Sequence, residues 1–253
     1  MFLRLAACLI ASFMATAAKA EECHGNPNAL GTSRVISVDP LELRRVGTME
    51  YKDTLPLRDH EVVLTFDDGP SAMYTPRVLD TLAAECVKVT FFVLGSMANE
   101  TPALVKRIYA EGHTIGTHTQ RHLWLTRLSR EAVKKEITDG IASVAAAAGD
   151  PKAVAPFFRF PYFDHNNATE DAVLAHGLMI WGVDFTADDW LRVTPQHVLS
   201  VTLARLQRRR KGLIGFHDIQ QRTVLALPEL LRELKKRGYR VVHVVPSSRT
   251  AQR

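Results

Sequence analysis

From Glu61 onward, short apolar and β-branched runs alternate about seven times with helix-like segments, and this rhythm limits the folds open to the chain. The runs are Val62–Thr65, Val89–Leu94, Thr114–Thr117, Phe157–Phe160, Met179–Val183, Leu213–Phe216 and Val241–Val245. Between them the spacing predicts helices over 75–85, 102–111, 130–147, 169–176, 195–210 and 226–237. Thr194-Pro195 and Leu227-Pro228 put prolines near helix starts, where a missing N–H costs little, and Gly238 stands where a C-terminal cap would. Strand and helix in strict alternation call for parallel strands joined by crossover helices, in a (β/α) barrel or a doubly wound sheet. Both architectures gather functional residues at the C-terminal ends of strands. Chemistry should therefore be sought just after each β-run.

The chain has 253 residues, 46% of them hydrophobic, which suits one well-buried domain. The net charge of +5 is mostly dispersed; Arg208, Arg209, Arg210 and Lys211 form the single basic run, without interleaved aromatics. That run reads as a solvated helix end or turn, and no nucleic-acid partner is expected. Residues 1–20 read as a secretory signal peptide: Arg4, an apolar stretch from Leu5 to Ala17, then Ala18-Lys19-Ala20 as the cleavage site. Export to the periplasm or beyond is the expectation, with no transmembrane segment. Residues 21–58 carry Gly, Pro, Asn and scattered charge and look like an extended arm with one short strand at Arg34–Val38. Residues 59–247 form the domain and 248–253 a tail. Cleavage removes Cys8 and leaves Cys23 and Cys86, which either pair in an oxidising compartment or stay as two thiols, with Cys86 buried at a helix end.

Five motifs fall at strand ends. Thr65-Phe66-Asp67-Asp68-Gly69-Pro70 closes the first run, and Gly-Pro turns the chain sharply enough to aim two acids into one cleft. Gly116-Thr117-His118-Thr119-Gln120-Arg121-His122 follows the third, with two histidines at i and i+4. Alone, the first reads as ordinary turn chemistry, and the second is as readily a chance pair of surface histidines as a pair of metal ligands. Together, one carboxylate and two imidazoles form a familiar three-ligand set for a hydrolytic divalent ion, and the other aspartate is free to act as a base. Arg159-Phe160-Pro161-Tyr162 supplies an arginine to hold a carboxylate ionised and backbone N–H groups for an oxyanion. Asp188-Asp189-Trp190 supplies a carboxylate to orient a histidine and an indole to stack on a sugar. Gly215-Phe216-His217-Asp218 supplies an imidazole, either a general acid or a satisfied core histidine. Five coincidences on one rim would be improbable.

In this order the motifs resemble the polysaccharide deacetylase family, also called the NodB-homology domain or family four of the carbohydrate esterases, over about residues 59 to 247. The resemblance implies a distorted (β/α) barrel with about seven parallel strands. It implies Asp67 as catalytic base, and Asp68, His118 and His122 as ligands of one divalent ion: zinc, or else cobalt, nickel, manganese or magnesium. It implies His217 as acid, Arg159 as support for Asp67, Asp189 as partner of His217, and the Tyr162 N–H as oxyanion contact. The implied partner is an acetylated polysaccharide or oligosaccharide, cut at N-acetyl groups of chito-oligosaccharide or peptidoglycan by a monomer. An O-acetyl esterase on xylan-type glycans is the alternative. A carbohydrate-binding pseudoenzyme is a third reading, disfavoured because a binder needs neither Asp67 nor His217. The chain departs from the family pattern at Phe163, Thr117, Phe216 and Thr186; Phe163 and Phe216 are expected to reshape the acetyl pocket and groove.

Overall fold

In a computed structural model, residue 23 and residues 25–247 are described; the expected signal peptide and the 248–253 tail lie outside them. Ten strands form one sheet: β1 (Thr32–Val38), β2 (Arg45–Val46), β3 (Glu61–Asp67), β4 (Thr90–Val93), β5 (Thr114–Thr117), β6 (Val154–Phe158), β7 (Met179–Trp181), β8 (Phe185–Thr186), β9 (Gly212–His217) and β10 (Arg240–Pro246). Among the described residues seven α-helices connect them: α1 (Thr75–Ala84), α2 (Gly95–Glu100), α3 (Pro102–Ala110), α4 (Arg130–Ala148), α5 (Asn167–Ala175), α6 (Pro195–Arg209) and α7 (Gln221–Lys236). Every ladder among the described residues is parallel.

The central run is β8-β9-β3-β4-β5-β6-β7-β2, and it bends into a distorted barrel that does not close. The edge of β7 is taken by β2, Arg45 opposite Ile180 and Val46 opposite Trp181. The segment expected as an arm thus contributes two strands, since β1 also pairs along β10, from Thr32 opposite Val241 to Val38 opposite Pro246. Cys23 and Cys86 form a disulfide, which fastens this segment to the residues after α1.

Alternation of side chains along a strand decides what faces inward. On β3, Val62, Leu64 and Phe66 pack outward with the helices, while Val63 joins Phe92, Phe157, Trp181 and Leu213 in a second, inner cluster. Thr65 and Asp67 continue that inner parity. The same rule carries Arg159 inward beyond Phe157 and His217 inward beyond Leu213. It also corrects one expectation: Phe216 has outward parity, is buried, and stacks on Phe66 at 5.6 Å, so it does not shape the pocket.

One helix start also differs. α7 begins at Gln221, and Pro228 lies within it. The apolar stripe Val224, Leu227, Leu231 and Leu234 runs through the proline, whose ring sits on the exposed face where a lost ladder bond can be made to water. Gly238 adopts φ 74°, and the Tyr239 N–H reaches back to the Leu234 carbonyl at 2.9 Å, closing the helix as the sequence predicts. Among the described residues no helix is long and apolar enough to cross a membrane.

Candidate active site

The loops at the C-terminal ends of β3, β5, β6, β9 and the β8–α6 connection meet at one rim. Asp67, the last residue of β3, is buried, and its Oδ1 accepts from Arg159 Nη1 at 2.6 Å. Arg159 is completely buried beyond the end of β6. Its remaining donors reach Thr65 Oγ1 (2.8 Å) and the carbonyls of Trp181 (3.2 Å) and Gly182 (3.0 Å), and its guanidinium lies 4.1 Å from the Phe92 ring. Five N–H groups in a rigid fork make arginine the side chain able to satisfy so many acceptors at once.

Asp68 turns out of the strand at φ 74° and points across to the histidines. Its Oδ1 lies 3.4 Å from His118 Nε2 and 3.2 Å from His122 Nε2. One ligand atom from each of the three residues fits within 4.8 Å of the others. That Asp68 oxygen is buried and makes no hydrogen bond among the described residues, as a carboxylate waiting for a cation would. His118 Nδ1 is 2.7 Å from the Arg159 carbonyl; donating there leaves the Nε2 lone pair facing Asp68. Burial would raise the Asp68 pKa, but the imidazoles of His118, His217 and His122 close around it hold it below the ordinary carboxylate range. His122 is lowered, first by burial and then by His118, which keeps its imidazole neutral and able to ligate. Asp68, His118 and His122 therefore fit a divalent cation as a carboxylate and two imidazoles.

On the far side of Asp68, His217 Nε2 stands 3.9 Å from Asp68 Oδ2. Its Nδ1 is 2.8 Å from Asp189 Oδ1, and its backbone N–H donates to Asp189 Oδ2 at 2.7 Å. Asp189 is in turn held by Thr223 Oγ1 at 2.5 Å. Burial alone would lower His217; the Asp189 hydrogen bond and charge, with Asp67 and Asp68 behind them, push it up to about 9. Asp188 faces elsewhere, in a two-pronged pair with Arg205 (2.7 and 2.9 Å).

Tyr162 sits at φ 59° with its ring edge-on to His122, centroids 4.4 Å apart. Trp190 is 59% exposed on the lip of the rim. Among the described residues nine non-glycine residues have positive φ, and six of them (Asp68, Thr119, His122, Tyr162, Phe163 and Asp188) lie at this rim. Such strain persists where surrounding structure over-determines it, and it clusters at functional sites.

Two neighbours of these groups carry no functional signal in the sequence. Thr223 has no local signal, standing 34 residues from the Asp189 it holds. Asp218, next to His217 in the chain, is fully buried beneath the Asp67-Asp68-Gly69 turn, where Thr75 donates to it. Burial, opposed by the Thr75 bond and reinforced by the charges of Asp68 and Asp67, pushes it up to about 7. Gly69 is required here, because an added Cβ would overlap both Asp218 oxygens.

Fold and rim together define a hydrolase of the α/β class. The family model described as polysaccharide deacetylase matches residues 55–181. A peptidoglycan-N-acetylglucosamine deacetylase of Bacillus cereus is 31% identical over 208 residues, covering 80% of this chain and 94% of that one. A chitooligosaccharide deacetylase of Sinorhizobium fredii is 31% identical over 218 residues, covering 79% and 98%. Among solved structures, a peptidoglycan deacetylase of Bdellovibrio bacteriovorus superposes with a TM-score of 0.76 at 29% identity, covering 86% of this chain and 60% of that one. The chain belongs to the polysaccharide deacetylase family.

Proposed function

We propose that this chain is a metal-dependent hydrolase that removes N-acetyl groups from N-acetylglucosamine units of peptidoglycan or a chitin-like oligomer. The observation that carries the reading is the grouping of Asp68, His118 and His122 between an arginine-held Asp67 and an aspartate-held His217. Asp68, His118 and His122 would hold a divalent ion, zinc first among the candidates, which would supply Lewis-acid polarisation of the acetyl carbonyl and a lowered pKa for water. Asp67 takes the proton of the attacking water, and Arg159 holds its carboxylate in place through the 2.6 Å hydrogen bond. The Tyr162 N–H receives the developing oxyanion. His217, protonated through neutral pH, gives its proton to the departing amine, and Asp189 fixes which ring nitrogen faces the site. Acetate and a glucosamine unit are the products. Trp190 offers an open indole for the flanking sugar.

The names of the Bacillus and Sinorhizobium relatives support N-deacetylation over ester cleavage, and the expected signal peptide supports an envelope substrate. The test is acetate release by the metal-loaded protein from chito-oligosaccharides, peptidoglycan and acetylxylan. Release from either of the first two supports the reading. Release from acetylxylan alone makes the enzyme an O-esterase, and release from none overturns the assignment.

A further inference from the structure

Beside the candidate metal ligands, four side chains stand in a row. Tyr162 lies edge-on to His122 at 4.4 Å, and Trp124 stacks flat on Tyr162 at 4.0 Å and 7°. The Arg127 guanidinium lies 4.7 Å from the Trp124 ring. With Tyr162 on one face of the indole, only the other is left for Arg127. Trp124 is 37% exposed, and a part-exposed tryptophan beside a glycan site would ordinarily be read as a platform for a sugar ring. Here both faces are taken, so what solvent reaches is mostly edge.

At the inner end of the row, His122 and Tyr162 both carry strained backbones, φ 58° and 59°. His122 is otherwise anchored through its backbone, its N–H donating to Thr119 Oγ1 at 3.1 Å. Among the described residues its ring makes no hydrogen bond to a backbone carbonyl of the kind His118 makes to Arg159. The aromatic row stands in that place.

We propose that Trp124 is a positioning residue: clamped by Arg127, it presses Tyr162 against His122, fixing the imidazole toward Asp68 and the Tyr162 backbone toward the reacting acetyl group. The inference rests on the hydrolase reading for its catalytic half only. Partners that orient a ligand ordinarily change metal affinity by about 10–100-fold when lost.

The experiment compares wild type with Trp124→Ala, Trp124→Leu and Trp124→Phe. Zinc affinity is read by calorimetry on the metal-free proteins, and kcat and KM by acetate release. Expected for Trp124→Ala and Trp124→Leu is zinc binding weakened about tenfold or more, with kcat reduced and KM little changed. Trp124→Phe, which keeps a flat ring, should recover most of both. A raised KM with unchanged kcat and zinc affinity would overturn the proposal and make Trp124 a sugar platform. Unchanged values throughout would overturn it as well. If wild type releases no acetate, the hydrolase reading fails, while calorimetry still decides whether the row holds His122.

Discussion

Arg159 and Asp67 meet at 2.6 Å, and no part of the guanidinium reaches solvent. Breaking a buried pair from one side leaves an uncompensated charge, ordinarily at a cost of about 3–5 kcal/mol. Arg159→Met should therefore lower unfolding free energy by an amount of that order in denaturant titrations. Arg159→Lys should rescue little, since one ammonium cannot serve Asp67, Thr65 and two carbonyls spread along the guanidinium fork.

Asp67→Asn keeps the size of the side chain and an acceptor for Arg159, but it cannot take a proton. Acetate release should be abolished while metal content, measured by elemental analysis, stays near the wild-type value. Near-normal turnover would sink the assignment of Asp67 as base.

His118→Ala removes one imidazole of the three-ligand set and frees the Arg159 carbonyl it bonds. The purified variant should carry little or no metal after dialysis. Full occupancy would refute this ligand set.

His217 is raised from an ordinary 6.5 to about 9, so its acid form is present at neutral pH and is lost as pH rises through about 9. In wild type the alkaline limb of kcat/KM should fall near there. Asp189→Asn removes the charge that does most of the raising, so that limb should move down toward the ordinary histidine value. A limb that stays in place would show that another group carries it.

Two histidines remote from the site contribute to acid sensitivity. Burial, with the charges of neighbouring cations, lowers His113 to about 3, and burial with Lys88 lowers His243 to about 4. Folded, both refuse a proton that the unfolded chain accepts below about 6.5. Stability should thus be complete above that pH and fall as pH drops toward 4, by about 1.4 kcal/mol per pH unit for each histidine. His243→Asn should flatten the slope by one histidine's share in urea titrations from pH 7 to 4.5.

The seven strongest β-runs were legible because buried parallel strands read as unbroken apolar stretches, and β5 falls at the bounds its sequence suggests. The two-residue strands β2 and β8 were not, since so short a pairing is decided by the neighbour it meets and leaves no pattern of its own. Pro228 misled because a proline marks a helix start only when no apolar stripe precedes it. At the site, Asp67, Asp68, His118, His122, Arg159, Asp189 and His217 announced themselves by chemical type at strand ends. Thr223, Asp218 and Trp124 did not: a threonine under a carboxylate, an acid beneath a turn and a tryptophan on a tyrosine acquire meaning only from a partner distant in sequence.

The pairing of β1 with β10 has a consequence in time. Ser33 and Val241, hydrogen-bonded at 2.9 Å, stand 208 residues apart. β1 therefore waits for β10, and its ladder cannot form until residues 240–246 have been made. Contacts so distant in sequence are slow to close. Until Arg240–Pro246 arrives, β1 has no ladder partner among the described strands, so the edge of the sheet is completed late.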